Sequence, residues 1–235
     1  MKLTPHVLYK ILMNEFGNQN WWPIDQTYHK KNHSDPRFEV IVGAILTQNT
    51  AWTNVEKSLN KLKSKNMLEI QKTAESDIET LQNLVRSSGF FNQKASRIKK
   101  LAQHLHQNYH DDLDEFFDND LHELRVELLS LRGIGPETAD SILLYAGNLP
   151  IFVVDAYTKR ICERLPLDTL NSYNDVQKYF ETDLNRKYPE KELMRIYNEL
   201  HALIVVLAKN YCKKKPACYI CPLQNHCKFK NKLSK

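Results

Sequence analysis

Two glycines and a proline interrupt an apolar helical pattern in LRGIGPETADSILLYAGNLPIFVVDAY, Leu131 to Tyr157, and constrain the fold more than any other feature of the chain. One helix is predicted to end at Arg132, the turn Gly133-Ile134-Gly135 follows, and Pro136 opens a second helix. Glycine permits positive φ and close backbone approach, and proline suits the first helical position, where the N–H has no intrahelical partner. Such a turn presents N–H groups at a helix N-terminus, which suits a phosphate. Ile134 is expected to pack inward and fix the turn; with no ligand, the same stretch is a plain αα-hairpin.

The second helix leads through IFVV, Ile151 to Val154, to Asp155. Burying an unpaired carboxylate costs more than the ~2–7 kcal/mol of a neutral polar group, so an acid after an apolar run needs a partner or a task. A helix N-cap supplies the partner, with Asp155 accepting from Thr158 as AYTKRICERL begins. Capping still leaves one carboxylate oxygen to face a pocket.

Other segments read as amphipathic helices: Leu121, Leu124, Leu128 and Leu131 recur at spacings of three and four, as do Val55, Leu59 and Leu62, and Leu101 and Leu105 repeat it. IFVV is the one strand-like run, and no Asn-Gly or Asp-Gly hairpin signal occurs. The fold class expected is all-α, and 235 residues with 42% hydrophobic content are enough for one large domain or two small ones. No apolar run approaches the roughly 18 residues of a membrane span, and the N-terminus lacks a leader pattern, so a soluble cytoplasmic protein without a membrane partner is expected.

Four of the five cysteines, Cys212, Cys218, Cys221 and Cys227, crowd into 16 residues as C-x5-C-x2-C-x5-C. In a reducing compartment such a cluster holds metal rather than disulfides, and four thiolates suit either tetrahedral zinc or an iron-sulfur cluster. Only the central pair has knuckle spacing; the wide outer gaps favour the larger cluster. Cys162, within a predicted helix, is expected to be a buried apolar residue. Residues from Lys209 to Lys235 include eight lysines and no acid, and taking those eight from the 33 basic residues leaves 25 against 28 acidic ones. Lys213, Lys214, Lys215, Lys228 and Lys230 interleave the cysteines, so a metal-stapled loop would hold positive charge in place for a phosphate backbone.

The hairpin, the aspartate 20 residues after Gly135 and the four cysteines together resemble the endonuclease III, or helix-hairpin-helix, superfamily of DNA glycosylases. The resemblance covers most of the chain. It implies two helical domains: a six-helix barrel with the hairpin over residues 38–150, and a terminal domain from 1–37 and 151–235 with a 4Fe-4S cluster on the four cysteines. It makes Asp155 the catalytic aspartate, Gly133, Ile134, Gly135 and Thr138 the phosphate-binding hairpin, and Gln48, within LTQNTAW, the residue that fills the space left by an extruded nucleotide. WWP at Trp21 to Pro23, LTQNT, SGFFNQKA, GIGPETAD and VVDAY look, more narrowly, like the 3-methyladenine DNA glycosylase III subgroup, with an added cluster loop.

Lyase members of the superfamily carry a lysine where this chain has Glu137, and a carboxylate cannot form a Schiff base with the sugar. The resemblance therefore implies a monofunctional glycosylase acting, as a monomer, on double-stranded DNA with a damaged base, most of all an alkylated purine such as 3-methyladenine. Trp21, Trp22, Trp52 and Glu137 form the expected base pocket, since aromatic faces attract a cationic base by about 0.5–2 kcal/mol. Uracil, mismatched thymine and oxidised pyrimidines are the alternative substrates, and a non-catalytic DNA-damage binder is the alternative of another class.

Overall fold

The computed structural model describes residues 3–167 and 172–229, within which thirteen α-helices and no strand occur. The chain divides into two compact units, one of Met1–Trp21 with Pro150–Lys235 and one of Trp22–Leu149. The first unit begins with α1 (Pro5–Phe16). The central unit holds α2 (Gln26–Asn32), α3 (Pro36–Leu46), α4 (Trp52–Ser64), α5 (Ile70–Glu75), α6 (Ile78–Val85), α7 (Phe91–Tyr109), α8 (Leu113–Phe117), α9 (Leu121–Ser130) and α10 (Pro136–Tyr145). The chain then returns to the terminal unit with α11 (Ala156–Arg164), α12 (Tyr173–Asn185) and α13 (Glu190–Asn210).

In the central unit five helix starts are written locally: Asp25, Asp35, Asp77, Asp112 and Asp120 each accept a first-turn N–H through their side chains. Helix α3 is buried from Phe38 to Leu46, all round its circumference, and so runs through the core rather than along its face. Helices α5 and α6 pack on α7, and α9 and α3 pack on α10. Leu124 and Leu128 of the expected apolar stripe are fully buried. The unit starts earlier than residue 38, the boundary expected from sequence. Buried His29 bonds Glu39 at 2.7 Å and Lys63 reaches both Asp25 and Glu39, which ties residues 22–37 to α3 and α4.

In the terminal unit α1 packs against α12 and α13, and α11 against α13. Between Pro150 and Asp155 the chain is extended and buried without forming the strand its composition suggested. Side chains of α12 replace a sheet partner: Glu181 accepts from Phe152 N at 2.9 Å, Gln177 donates to Phe152 O at 2.7 Å, and Tyr173 accepts from Val154 N at 3.3 Å. Phe152 stacks on Phe180 with centroids 4.5 Å apart. This segment delivers Asp155 from a buried stretch in which three backbone groups are bonded by side chains of α12.

Candidate active site and nucleic-acid interface

The hairpin turns two residues earlier than its composition suggested, with α9 ending at Ser130 and Leu131 as its C-cap. Gly133 has φ +94°, which requires glycine, and a Cβ there would lie 2.2 Å from Arg97 Nε and 2.8 Å from Arg97 Cδ and so displace that side chain. Gly135, the N-cap of α10, has φ −96°, and a Cβ there would meet nothing within 4 Å. Its conformation does not demand glycine, contrary to the expectation for the turn as a whole. No side chain caps the start of α10. Ile134 is buried as expected.

The two glycines therefore respond differently to substitution. Gly133→Ala is expected to cost about 1–3 kcal/mol, chiefly from positive-φ strain, whereas Gly135→Ala should cost less than about 1 kcal/mol. Thermal or urea unfolding of the two variants measures the contrast; equal losses would overturn it.

Gln48, just after α3, is tied to this turn. Its Nε2 donates to Thr138 Oγ1 at 2.9 Å and to Gly133 O at 3.2 Å, while Arg97 donates to its Oε1. Thr138 is buried, so its side chain serves Gln48 rather than standing on the surface. Lys94, one turn before Arg97, is buried and donates to Leu46 O at 2.8 Å and Ser88 O at 2.7 Å. Burial lowers its pKa to about 8, yet both carbonyls engage it, and it works as an internal brace for the loop carrying Gln48.

Trp22 and Trp52 come together edge to face, with centroids 5.4 Å apart, and Tyr145 lies 5.3 Å from Trp22. Gly43 makes room for Trp22, whose ring a Cβ would meet at 2.9 Å. Packing thus fixes Trp22, while Trp52, half-buried, lines an open concavity with Pro23, Glu39, Lys57 and Lys63. Trp21 belongs to the terminal unit. Glu137 is exposed in the first turn of α10, where its charge complements the helix dipole.

Asp155, in the terminal unit, is the N-cap of α11 and is 9% exposed. Its Oδ1 accepts from Thr158 N at 2.7 Å and Thr158 Oγ1 at 2.9 Å, and its Oδ2 lies 3.6 Å from His201 Nε2. Burial pushes the carboxyl pKa up, but His201 and the two Thr158 donors outweigh it and hold the pKa below the ordinary carboxylate value. Asp155 is therefore ionised at neutral pH. The ionised form also stabilises the fold there, a contribution lost only as the pH falls through the lowered pKa.

All four clustered cysteines line one cavity, together with Arg164, Tyr211 and Phe229. Arg164 donates to Cys212 Sγ at 3.2 Å and to Lys213 O at 2.7 Å, with its guanidinium 4.6 Å from the centre of the Phe229 ring. Among the described residues no three ligands converge as a single metal ion needs, but the donors share a cavity and a cation faces one sulfur, which fits a multi-iron cluster carried by thiolates. Cys162 is half-buried rather than buried, and burial pushes its thiol up to about 12, so it stays an inert thiol. Lys230 lies outside the described residues. No helix among the described residues is long and apolar enough to cross a membrane.

Arg97, Lys94 and His201 were not singled out from the sequence. His201 had a legible signal, as the one polar residue in the apolar run LHALIVVLA; Arg97 and Lys94 lie in a segment whose lysines and arginines look alike in sequence.

The chain belongs to the HhH-GPD superfamily of base excision DNA repair proteins, whose family model matches residues 42–186, and is a DNA glycosylase of that superfamily. A Methanocaldococcus jannaschii protein provisionally named a DNA repair glycosylase is 44% identical over 94% of both chains. Endonuclease III of Sulfolobus acidocaldarius is 30% identical over 82% of each. The crystal structure of H. pylori 3-methyladenine DNA glycosylase (MagIII) bound to 1,N6-ethenoadenine superposes with a TM-score of 0.71 at 29% identity, covering 88% of this chain and 98% of that one.

Proposed function

We propose that the chain is a monofunctional DNA glycosylase that hydrolyses the N-glycosidic bond of an extruded damaged base, an alkylated purine above all. The observation that carries this reading is Asp155, a buried carboxylate kept ionised by Thr158 and His201 and retaining Oδ2 outside the cap. Extruding a base costs roughly a few kcal/mol, less for a damaged one, and a side chain must occupy the vacated stack. Gln48 takes that role by leaving its bonds to Gly133 and Thr138, while the hairpin backbone at Gly133 and Gly135 holds a phosphate.

An N-alkylated purine is cationic and already a good leaving group, so little acid catalysis is needed. The ionised Asp155 stabilises the oxocarbenium-like sugar and orients the attacking water. Glu137, in place of the lyase lysine, supplies no amine for a Schiff base. Aromatic faces at Trp21, Trp22 and Trp52 serve a cationic base. The H. pylori relative's purine adduct supports the choice of substrate class.

Cys212, Cys218, Cys221 and Cys227 would hold a 4Fe-4S cluster, which cross-links the loop when bound. Lys213, Lys214, Lys215 and Lys228 then face DNA from a fixed backbone. A brown protein with broad visible absorption supports the cluster, and a colourless zinc-containing one removes it.

The test is a panel of duplexes, each with one lesion: 3-methyladenine, 7-methylguanine, uracil, mismatched thymine or thymine glycol. Release of the methylated purines, with strand breaks only after alkali, is expected. Breaks without alkali would overturn the monofunctional assignment, and release of thymine glycol or uracil in preference would reassign the substrate.

A further inference from the structure

We propose that His201 is a positioning residue for Asp155, holding Oδ2 so that the carboxylate keeps one orientation toward the reacting sugar and water. The inference rests on the catalytic role given to Asp155. His201 projects from α13 and Asp155 begins α11, and these two helices pack against each other within one unit. The His201 side chain is 11% exposed, in a run otherwise made of apolar residues.

The division of labour follows from the contacts. Both Thr158 donors engage Oδ1, so they restrain the carboxylate through one of its two oxygens. His201 Nε2 is the group placed on the other oxygen, at 3.6 Å. That separation is too long for a formed hydrogen bond and too short to admit a bridging water. Contacts of this kind are loose in a free enzyme and shorten in the loaded one, where closure by less than an ångström forms the N–H···O bond. Histidine suits the task better than lysine or arginine. Its short planar ring brings one nitrogen to the oxygen with fewer rotatable bonds than either long side chain has.

The experiment measures single-turnover base release and DNA affinity for His201→Leu, His201→Gln and Asp155→Asn, on a lesion the unmodified enzyme releases. A misplacement near 1 Å costs up to roughly a hundredfold in rate, so His201→Leu is expected to slow release by about 10- to 100-fold with affinity unchanged within about twofold. His201→Gln, whose amide nitrogen reaches the place of Nε2, should recover the rate to within about fivefold of the unmodified enzyme. Should His201→Leu fail to fold, His201→Phe keeps a ring without a donor and is expected to show the same loss. An unchanged rate in the Leu or Phe variant overturns the proposal, as does equal impairment of the Gln variant. Release at the full rate by Asp155→Asn would instead overturn the catalytic role of Asp155, which separates the two failures.

Discussion

Asp155→Asn is expected to slow base release by at least about 10²–10³-fold, the usual loss when one preorganised electrostatic stabiliser is removed from an active site. The substitution is a sharp test because it leaves the local fold in place. Asparagine keeps an oxygen that can accept from Thr158 N and Thr158 Oγ1, so the N-cap of α11 persists, and the extended segment from Ile151 to Val154 is untouched. What disappears is the negative charge. DNA affinity should be equal or slightly higher, since an anion near the phosphate backbone has been removed. Base release measured under single turnover, with affinity measured on the same lesion duplex, separates the two. Undiminished release would sink the assignment of Asp155 as the catalytic carboxylate.

Asp140→Ala is expected to destabilise the protein by about 3 kcal/mol, the lower end of the roughly 3–5 kcal/mol seen when one partner of a buried ion pair is removed. Asp140 is fully buried on α10 and accepts from Arg125 Nε at 2.6 Å and Arg125 Nη2 at 3.2 Å, a forked pair that clamps the two hairpin helices. Alanine removes the carboxylate that accepts from both guanidinium nitrogens. Arg125 keeps 18% side-chain exposure, which softens the loss. For a chain of this length the melting temperature should fall by roughly 6–12 °C, read by scanning calorimetry. The double variant Arg125→Met with Asp140→Leu should regain most of it, because replacing both partners by apolar groups leaves no stranded charge. A shift within about 1 °C for Asp140→Ala would show that the pair contributes little. A fall in DNA affinity beyond the unfolded fraction would show that the clamp also shapes the turn.

The course of the helices, the turn at Gly133, the cap at Asp155 and the spacing of the four cysteines could be read from the sequence, because each depends on residues within a helical turn or one loop. Eight of the thirteen helices start at a single Asp, Ser or Thr that caps them, and IFVV announced a buried segment even though its partners proved to be side chains of α12 rather than a strand. Gly135 shows the limit of that kind of inference. Close together in sequence, the two glycines look alike, but only Gly133 is forced by its φ.

By itself, then, the sequence determined the all-α class, the hairpin, the place of the carboxylate and the spacing of the four cysteines, all of them consequences of local backbone preference and local spacing. The tertiary structure decided which side chains restrain them: Arg97 and Thr138 on Gln48, Arg125 on Asp140, Arg164 on Cys212, and His201 on Asp155. Those partners come from other helices, some close and some far along the chain. Their selection depends on how apolar faces pack, and that packing brings a particular imidazole or guanidinium within reach of a particular acceptor.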